Sequence, residues 1–264
     1  MYGQGDRPLI DPRAVIDPAA ELAEGVEVGP FSVIGPGVQI GKGTWIGPHT
    51  VVKGPARIGE NNKIFQFASI GEDPQDKKYA GEQTRLEIGD NNVIRECVTI
   101  NRGTAQDRGV TRIGNDNLLM AYTHLAHDCL LGDHVIMANA ASLGGHVTID
   151  DWAILGGFTI VHQFCRIGAH SFCGMGSAIS MDLPPYVLVS GQPAKPHGIN
   201  SEGLKRRGFS SGAILRIKRA YKILYSSNKR LEQAVEAIRG MLQETPELEI
   251  LANFLAKPGR GILR

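Results

Sequence analysis

A period of six constrains this chain more than any other feature. Every sixth residue from Ile10 is aliphatic: Ile10, Ile16, Leu22, Val28, Ile34, Ile40, Ile46, Val52, Ile58, Ile64 and Ile70. After a polar stretch the phase resumes at Ile88, Ile94 and Ile100. A second interruption shifts the frame by one, and the run restarts at Ile113, Leu119, Leu125, Leu131, Met137 and Leu143. It continues through Ile149, Leu155, Val161, Ile167, Cys173 and Ile179. Of these 26 positions only Cys173 departs, and a buried thiol behaves as a small hydrophobe. Such residues make up roughly a quarter of ordinary sequence, so chance does not produce the run.

Neither the 3.6 spacing of a helix nor the alternation of a simple strand divides this pattern. The spacing predicts short flat strands separated by corners, where glycine or a small polar residue relieves the backbone. Three sides close a triangular coil, with the repeated aliphatic pointing inward on each. Stacked coils at about 4.8 Å would bury a continuous apolar column. Between Ile10 and Ile179 there is room for eight or nine of them. The pattern resembles the hexapeptide-repeat family, whose fold is a left-handed parallel β-helix. The handedness is implied by that resemblance, since the period alone is silent on it.

The two interruptions, 72–87 and 102–112, are polar and charged. Inserts in a solenoid must leave the coil for its surface, as decoration or as binding loops. After Pro184-Pro185 the period stops, and apolar residues fall at helical spacing: Ile214, Ile217, Tyr221, Leu224, then Leu231, Val235, Ile238 and Leu242. Thr245-Pro246-Glu247 reads as an N-cap, a first-turn proline and an acid ahead of a last helix through Leu248 to Leu255. The expected division is a β-helix over 1–190 and an α-helical domain over 191–264, which would cap the open end of the solenoid.

Charge adds an asymmetry. From Ile199 onward there are 13 basic and 6 acidic residues, against 15 and 21 before it. A basic tail on an acidic body suits an anionic partner or a solvated helical face. The start shows no apolar signal-peptide core, and no apolar run approaches the ~18 residues of a membrane span. Cys97, Cys129, Cys165 and Cys173 show no zinc spacing and no C-x-x-C pair, which suits a reducing cytoplasm.

Histidines gather in the second half at His124, His127, His134, His146, His162 and His170. With 18 residues per coil, His127 and His146 should lie in adjoining coils. Asp128 cannot share the face of His127 on a flat strand, but near a corner it can reach a ring nitrogen. The cluster admits three readings: surface solvation, a zinc site as in trimeric hexapeptide carbonic anhydrases, or a general base for acyl transfer. Cys129 beside it is a nucleophile or a residue packed in the coil wall.

Several longer words carry a closer resemblance: Ile64-Phe-Gln-Phe-Ala-Ser-Ile-Gly71, Gln75-Asp-Lys-Lys-Tyr-Ala-Gly-Glu82, Ala126-His-Asp-Cys129, Val161-His-Gln-Phe-Cys165 and Gly203-Leu-Lys-Arg-Arg-Gly-Phe209. They resemble the UDP-N-acetylglucosamine O-acyltransferases of lipid A synthesis over nearly the whole chain. The resemblance implies a homotrimer with active sites between neighbouring β-helices, acting on UDP-N-acetylglucosamine and acyl carrier protein without metal or other cofactor. It implies no nucleic-acid partner. His127 would be the general base, Asp128 its orienting acid, and the Gly145 amide the oxyanion donor. His124, His146, Asp76 and Lys78 would position the sugar and diphosphate. His162 belongs to the same substrate-binding set, and Gln163, Asn200, Glu202, Arg206 and Arg207 match positions near the nucleotide or the acyl-carrier arm. Lys205, Arg206, Arg207, Arg216, Lys218, Arg219 and Lys222 would offer a basic face to the acidic carrier protein.

Met175 stands where some family members have glycine, at the floor of the acyl groove, and should favour a 3-hydroxydecanoyl over a 3-hydroxymyristoyl donor. Pro193 stands where some have histidine, with no consequence that can be read. Three rival functions compete with this one: the related N-acyltransferase, a coenzyme A-dependent acetyltransferase and a non-catalytic trimeric scaffold. The N-acyltransferase carries an additional N-terminal domain, whereas here the repeat begins by Ile10. The residues leave open whether the acceptor carries a 3-hydroxyl or a 3-amine.

Overall fold

The computed structural model describes residues 9–227, 229–257 and 259–264. Strands of two to four residues stack into three parallel walls, and corners join the walls in strict rotation. The first wall has nine strands, from Val15–Ile16 to Ala178–Ile179; the second has eight, from Glu21–Leu22 to Arg166–Ile167. The third has ten, from Glu27–Val28 to the closing pair Val187–Ser190 and Lys195–Ile199. The fold is the expected left-handed parallel β-helix, with a small helical part at its C-terminal end.

Register shows why the period is six. Leu125 pairs with Leu143 and Leu143 with Val161, each step being 18 residues. The repeated aliphatics point into the prism and are buried from Val28 onward, Cys173 included. Burying each such side chain stabilises by about 1.5–3 kcal/mol, so the column is the main source of stability. Ile10, Ile16 and Leu22 are more exposed because, among the described residues, coils cover them from one side only.

The interruptions are shorter excursions than the polar stretches suggested. Arg85–Ile88 and Val110–Ile113 are wall strands in register with each other, so only 73–84 and 102–109 leave the coil. Ile58 pairs with Ile88 across 30 residues and Ile88 with Ile113 across 25, where the regular step is 18. Twelve extra residues are two periods and keep the phase. Seven are one period and one residue, which is the frame shift seen in the sequence.

The tail forms four α-helices: α1 Ser201–Arg206, α2 Ser211–Ser226, α3 Leu231–Arg239 and α4 Glu249–Ala256. Ile217 and Leu224 of α2, Ile238 of α3 and Leu251 of α4 bury together with Tyr186 and Leu204. Leu242 falls past the end of α3, which stops at Arg239 ahead of Gly240. Thr245 does not cap α4 through its side chain; it is buried, and a 3-10 turn over Pro246–Leu248 leads into the helix. The expected division at 190/191 falls inside the antiparallel pair Val187–Ser190 and Lys195–Ile199. The chain end returns to the solenoid, where Leu263 N–H donates to Asp182 O at 2.9 Å and the Leu263 side chain joins the β-helix core.

Candidate active site

Each coil has three corners, and both excursions leave from the same one, between the first and second walls. Residues 73–84 follow the first-wall strand Ser69–Glu72, and 102–109 follow Thr99–Asn101. In the next coils that corner is Ala126–Cys129, then Gly144–Val147, then His162–Cys165. A cleft of about 900 Å³ opens there, lined by Asp76, Lys78, Asp107, His127, His146 and Gln163 among others.

The corner backbone explains how neighbouring residues can meet. Asp128 has φ +60°, in the left-handed region, and so turns the chain at a point where a flat strand would send its side chain away from His127. His127 Nδ1 lies 2.9 Å from Asp128 Oδ2. Asp128 is buried and receives further bonds from Thr104, whose backbone N–H donates at 3.0 Å and whose hydroxyl donates at 2.6 Å. An ionised carboxylate only accepts, so the proton between this pair sits on Nδ1. The other ring nitrogen, Nε2, has no hydrogen-bond partner among the described residues.

Gly145 lies directly against the His127 ring. A Cβ at this position would fall 2.6 Å from Cε1 and 2.7 Å from Nε2 of His127, so only glycine lets the ring lie there. The Gly145 carbonyl accepts from Phe164 N–H at 3.0 Å, while its own N–H bonds to none of the described residues. His146 meets His127 edge-on with ring centroids 4.9 Å apart. The ligating atoms of His127, Asp128 and His146 all lie within 4.8 Å of one another, a set that could also hold a metal ion.

The structure therefore brings together His127, Asp128, Gly145, His146, Gln163, Asp76 and Lys78. His124 and His162 flank this corner rather than lining the cleft. His124 Nδ1 is 2.7 Å from the Thr99 hydroxyl, and burial lowers its pKa. His162 is exposed, with Nδ1 3.1 Å from Gln163 O. Cys129 is wall material: it is fully buried, Sγ faces Gly144 O at 3.3 Å, and burial pushes its thiol up to about 12.

The remaining candidates lie on other corners of the same chain. Met175 is at the corner between the third and first walls and is 79% exposed. Asn200 caps α1 by accepting from Gly203 N–H at 3.1 Å, and its side chain donates to His170 O at 3.0 Å. Arg207 is turned onto the corner between the second and third walls, donating to Trp152 O at 2.9 Å and lying over the Trp152 ring. Lys205 pairs with Glu202 at 2.7 Å. Arg206, Lys218, Arg219 and Lys222 remain at the surface, so the free basic face is narrower than the sequence suggested.

Sequence reasoning passed over three contributors, all in the second excursion. Arg102 is buried and donates to Gly71 O at 2.8 Å, to Tyr79 Oη at 3.0 Å and to the Asp73 carboxylate, tying the first excursion down. Thr104 clamps Asp128. Asp107 Oδ2 lies 2.8 Å from His146 Nδ1. A signal was present: both interruptions follow a first-wall aliphatic, Ile70 or Ile100, and Leu125 of that wall immediately precedes Ala126-His127-Asp128.

Known proteins bear on this geometry. The family model described as Udp N-acetylglucosamine O-acyltransferase, domain 2, matches residues 182–263, and the bacterial transferase hexapeptide model matches residues 37–64. The chain is 61% identical to the acyl-[acyl-carrier-protein]–UDP-N-acetylglucosamine O-acyltransferase of Alkalilimnicola ehrlichii, over 97% of this chain and 99% of that one. The protein of the same name from Halorhodospira halophila is 58% identical at the same coverage. Among solved structures, LpxA from Acinetobacter baumannii superposes with a TM-score of 0.95 at 49% identity, covering 97% of this chain and 100% of that one. The UDP-N-acetylglucosamine O-acyltransferase of Moraxella catarrhalis superposes at 0.96 with 44% identity, over 97% and 100% of the two chains. Identity of this degree, along nearly the whole length and through both excursions, shows that the chain belongs to the acyl-[acyl-carrier-protein]–UDP-N-acetylglucosamine O-acyltransferase family.

Proposed function

We propose that this enzyme transfers a 3-hydroxyacyl group from acyl carrier protein to the 3-hydroxyl of UDP-N-acetylglucosamine, the first step of lipid A biosynthesis, in the cytoplasm. The observation that carries the mechanism is the His127–Asp128 pair, with Nδ1 committed to a buried, clamped carboxylate and Nε2 open. Nε2 takes the proton from the sugar hydroxyl as its oxygen attacks the thioester carbonyl. The new C–O bond gives a tetrahedral oxyanion, which the Gly145 N–H receives. The C–S bond then breaks, and the departing thiolate takes the proton back from Nε2. Asp128 stabilises the imidazolium in between. No step needs a metal, because His127 supplies the base and Gly145 the electrophilic assistance.

The remaining candidates fit this reading if three copies assemble. Asn200, Glu202, Arg206, Arg207 and Met175 lie on corners away from their own cleft, where a neighbouring β-helix would bring them to it. Exposed apolar side chains support such packing: Tyr122, Phe158 and Met175 stand out from one corner and Ile160 from the first wall. Met175 would then floor the acyl groove of a neighbouring site. Each excluded methylene is worth about 0.8 kcal/mol, enough to favour the ten-carbon donor over the fourteen-carbon one.

The test is incubation with UDP-N-acetylglucosamine and a ladder of 3-hydroxyacyl carrier proteins, with and without chelator, read by mass spectrometry. A chelator-insensitive O-acyl product, best with the ten-carbon donor and shifted to longer donors by Met175→Gly, is expected. Optimal transfer of the longest donor by the unmodified protein would remove the Met175 argument. No product with any donor would contradict the function itself.

A further inference from the structure

The cleft holds a second acid–histidine pair that the mechanism above does not use. His146 Nδ1 lies 2.8 Å from Asp107 Oδ2, and Asp128 Oδ2 is 3.9 Å from the same nitrogen. The two partners come from different parts of the chain, Asp107 from the second excursion and His146 from a corner 39 residues later. The ring is held on its other sides too. Phe164 stacks on it at 4.4 Å and 8°, His127 meets it edge-on, and its backbone N–H donates to His127 O at 3.0 Å. Arg108 Nε is 3.9 Å from the other Asp107 oxygen, while Asp76, Lys77 and Lys78 also line the cleft.

A carboxylate can only accept, so Asp107 keeps the His146 proton on Nδ1 and leaves Nε2 as a lone pair in the neutral ring. Asp128 does the same for His127. Two acid-backed imidazoles thus stand side by side over one cleft. That arrangement matches an acceptor with two adjacent donors, one hydroxyl to be deprotonated and a neighbouring N–H or O–H to be held.

We propose that Asp107 is a positioning residue for acceptor recognition, fixing His146 so that its Nε2 receives a hydrogen bond from the donor next to the reacting hydroxyl. The inference rests on the acyltransferase reading above. It assigns the second excursion a role in specificity and leaves the proton transfer to His127.

The test is steady-state kinetics with UDP-N-acetylglucosamine for the wild type, Asp107→Ala, Asp107→Asn, His146→Ala and the double variant Asp107→Ala/His146→Ala. Loss of one such hydrogen bond should raise KM for the nucleotide sugar about tenfold in Asp107→Ala, with kcat held within about threefold. Asp107→Asn should restore KM, because its amide oxygen still accepts from Nδ1. The double variant should be no worse than His146→Ala, since Asp107 acts through that ring. Additive losses, or a fall in kcat at unchanged KM, would overturn the inference. His127→Ala, run alongside, separates the two claims. If it turns over like the wild type, the general-base reading fails; if it is inactive while Asp107→Ala matches the wild type, the Asp107 assignment alone fails.

Discussion

At the corner between the second and third walls, His134 and His170 lie in a stack with Trp152 and Tyr186; at the corner between the first and second walls, His127 and His146 lie against carboxylates. In the stack, His134 and Trp152 have ring centroids 4.0 Å apart, and His170 and Tyr186 lie 5.6 Å apart. The acids of that corner are taken by backbone. Asp151 accepts from Asp133 N–H at 2.9 Å, and Asp133 accepts from Asn115 N–H at 2.7 Å. Successive coils repeat the motif, so each of these carboxylates is used up by the amide one coil below. At the site corner the excursions interrupt this ladder. Asp128 takes its donors from Thr104 and His127 instead, and the histidines face a cleft rather than a stack of rings. The same residue types become structural or chemical according to whether the chain leaves the coil beside them.

That contrast breaks most sharply under substitution of the two acids. Asp128→Asn would favour the wrong His127 tautomer and should lower kcat by about 10³–10⁴. Asp151→Asn should cost on the order of 1 kcal/mol of stability by weakening the ladder, with kcat within about twofold. Kinetics and melting curves on both variants would decide the matter, and equal kinetic losses would erase the distinction between the corners.

Glycines sharpen the comparison. Gly145→Ala would push the His127 ring from its seat and should lower turnover about a hundredfold, since displacement of roughly 1 Å costs that much. Gly132→Ala places its Cβ 2.1 Å from Asp151 Oδ1, so it should lower the melting temperature and spare turnover.

A smaller effect concerns acid stability. Burial, and secondarily the Arg207 charge, hold the His170 pKa down to about 4 from an ordinary 6.5. The folded state therefore prefers neutral His170, while the unfolded state binds its proton near 6.5. The contribution is complete above 6.5 and is lost as pH falls from there toward 4. Calorimetry across that window should show a shallower acid loss in His170→Gln than in the wild type.

How far the sequence reveals this depends on periodicity. Residues such as Ile100, Leu125 and Leu143 report the wall and the coil directly, because burial at a fixed spacing leaves a mark on composition. The two frame changes even encode the excess length of each excursion. The edges of those excursions are hidden, because Arg85, Glu87 and Arg112 are charged wall residues whose side chains point outward. Asp128 can be placed near His127 only by allowing for a corner, and its left-handed φ is what makes the contact. Thr104 and Asp107 leave no such mark: their segment has no period, and what they touch is fixed by folding back across 24 and 39 residues. Helix α1 is too short for a periodic face, and its docking through Arg207 onto Trp152 depends on a tertiary contact.

The most direct measurement is the single-turnover rate of His127→Ala beside that of His134→Ala, with saturating UDP-N-acetylglucosamine and 3-hydroxyacyl carrier protein. Loss of the base should slow the first variant by about 10²–10⁴ and leave the second near the wild-type rate. Comparable rates in the two variants would contradict the account.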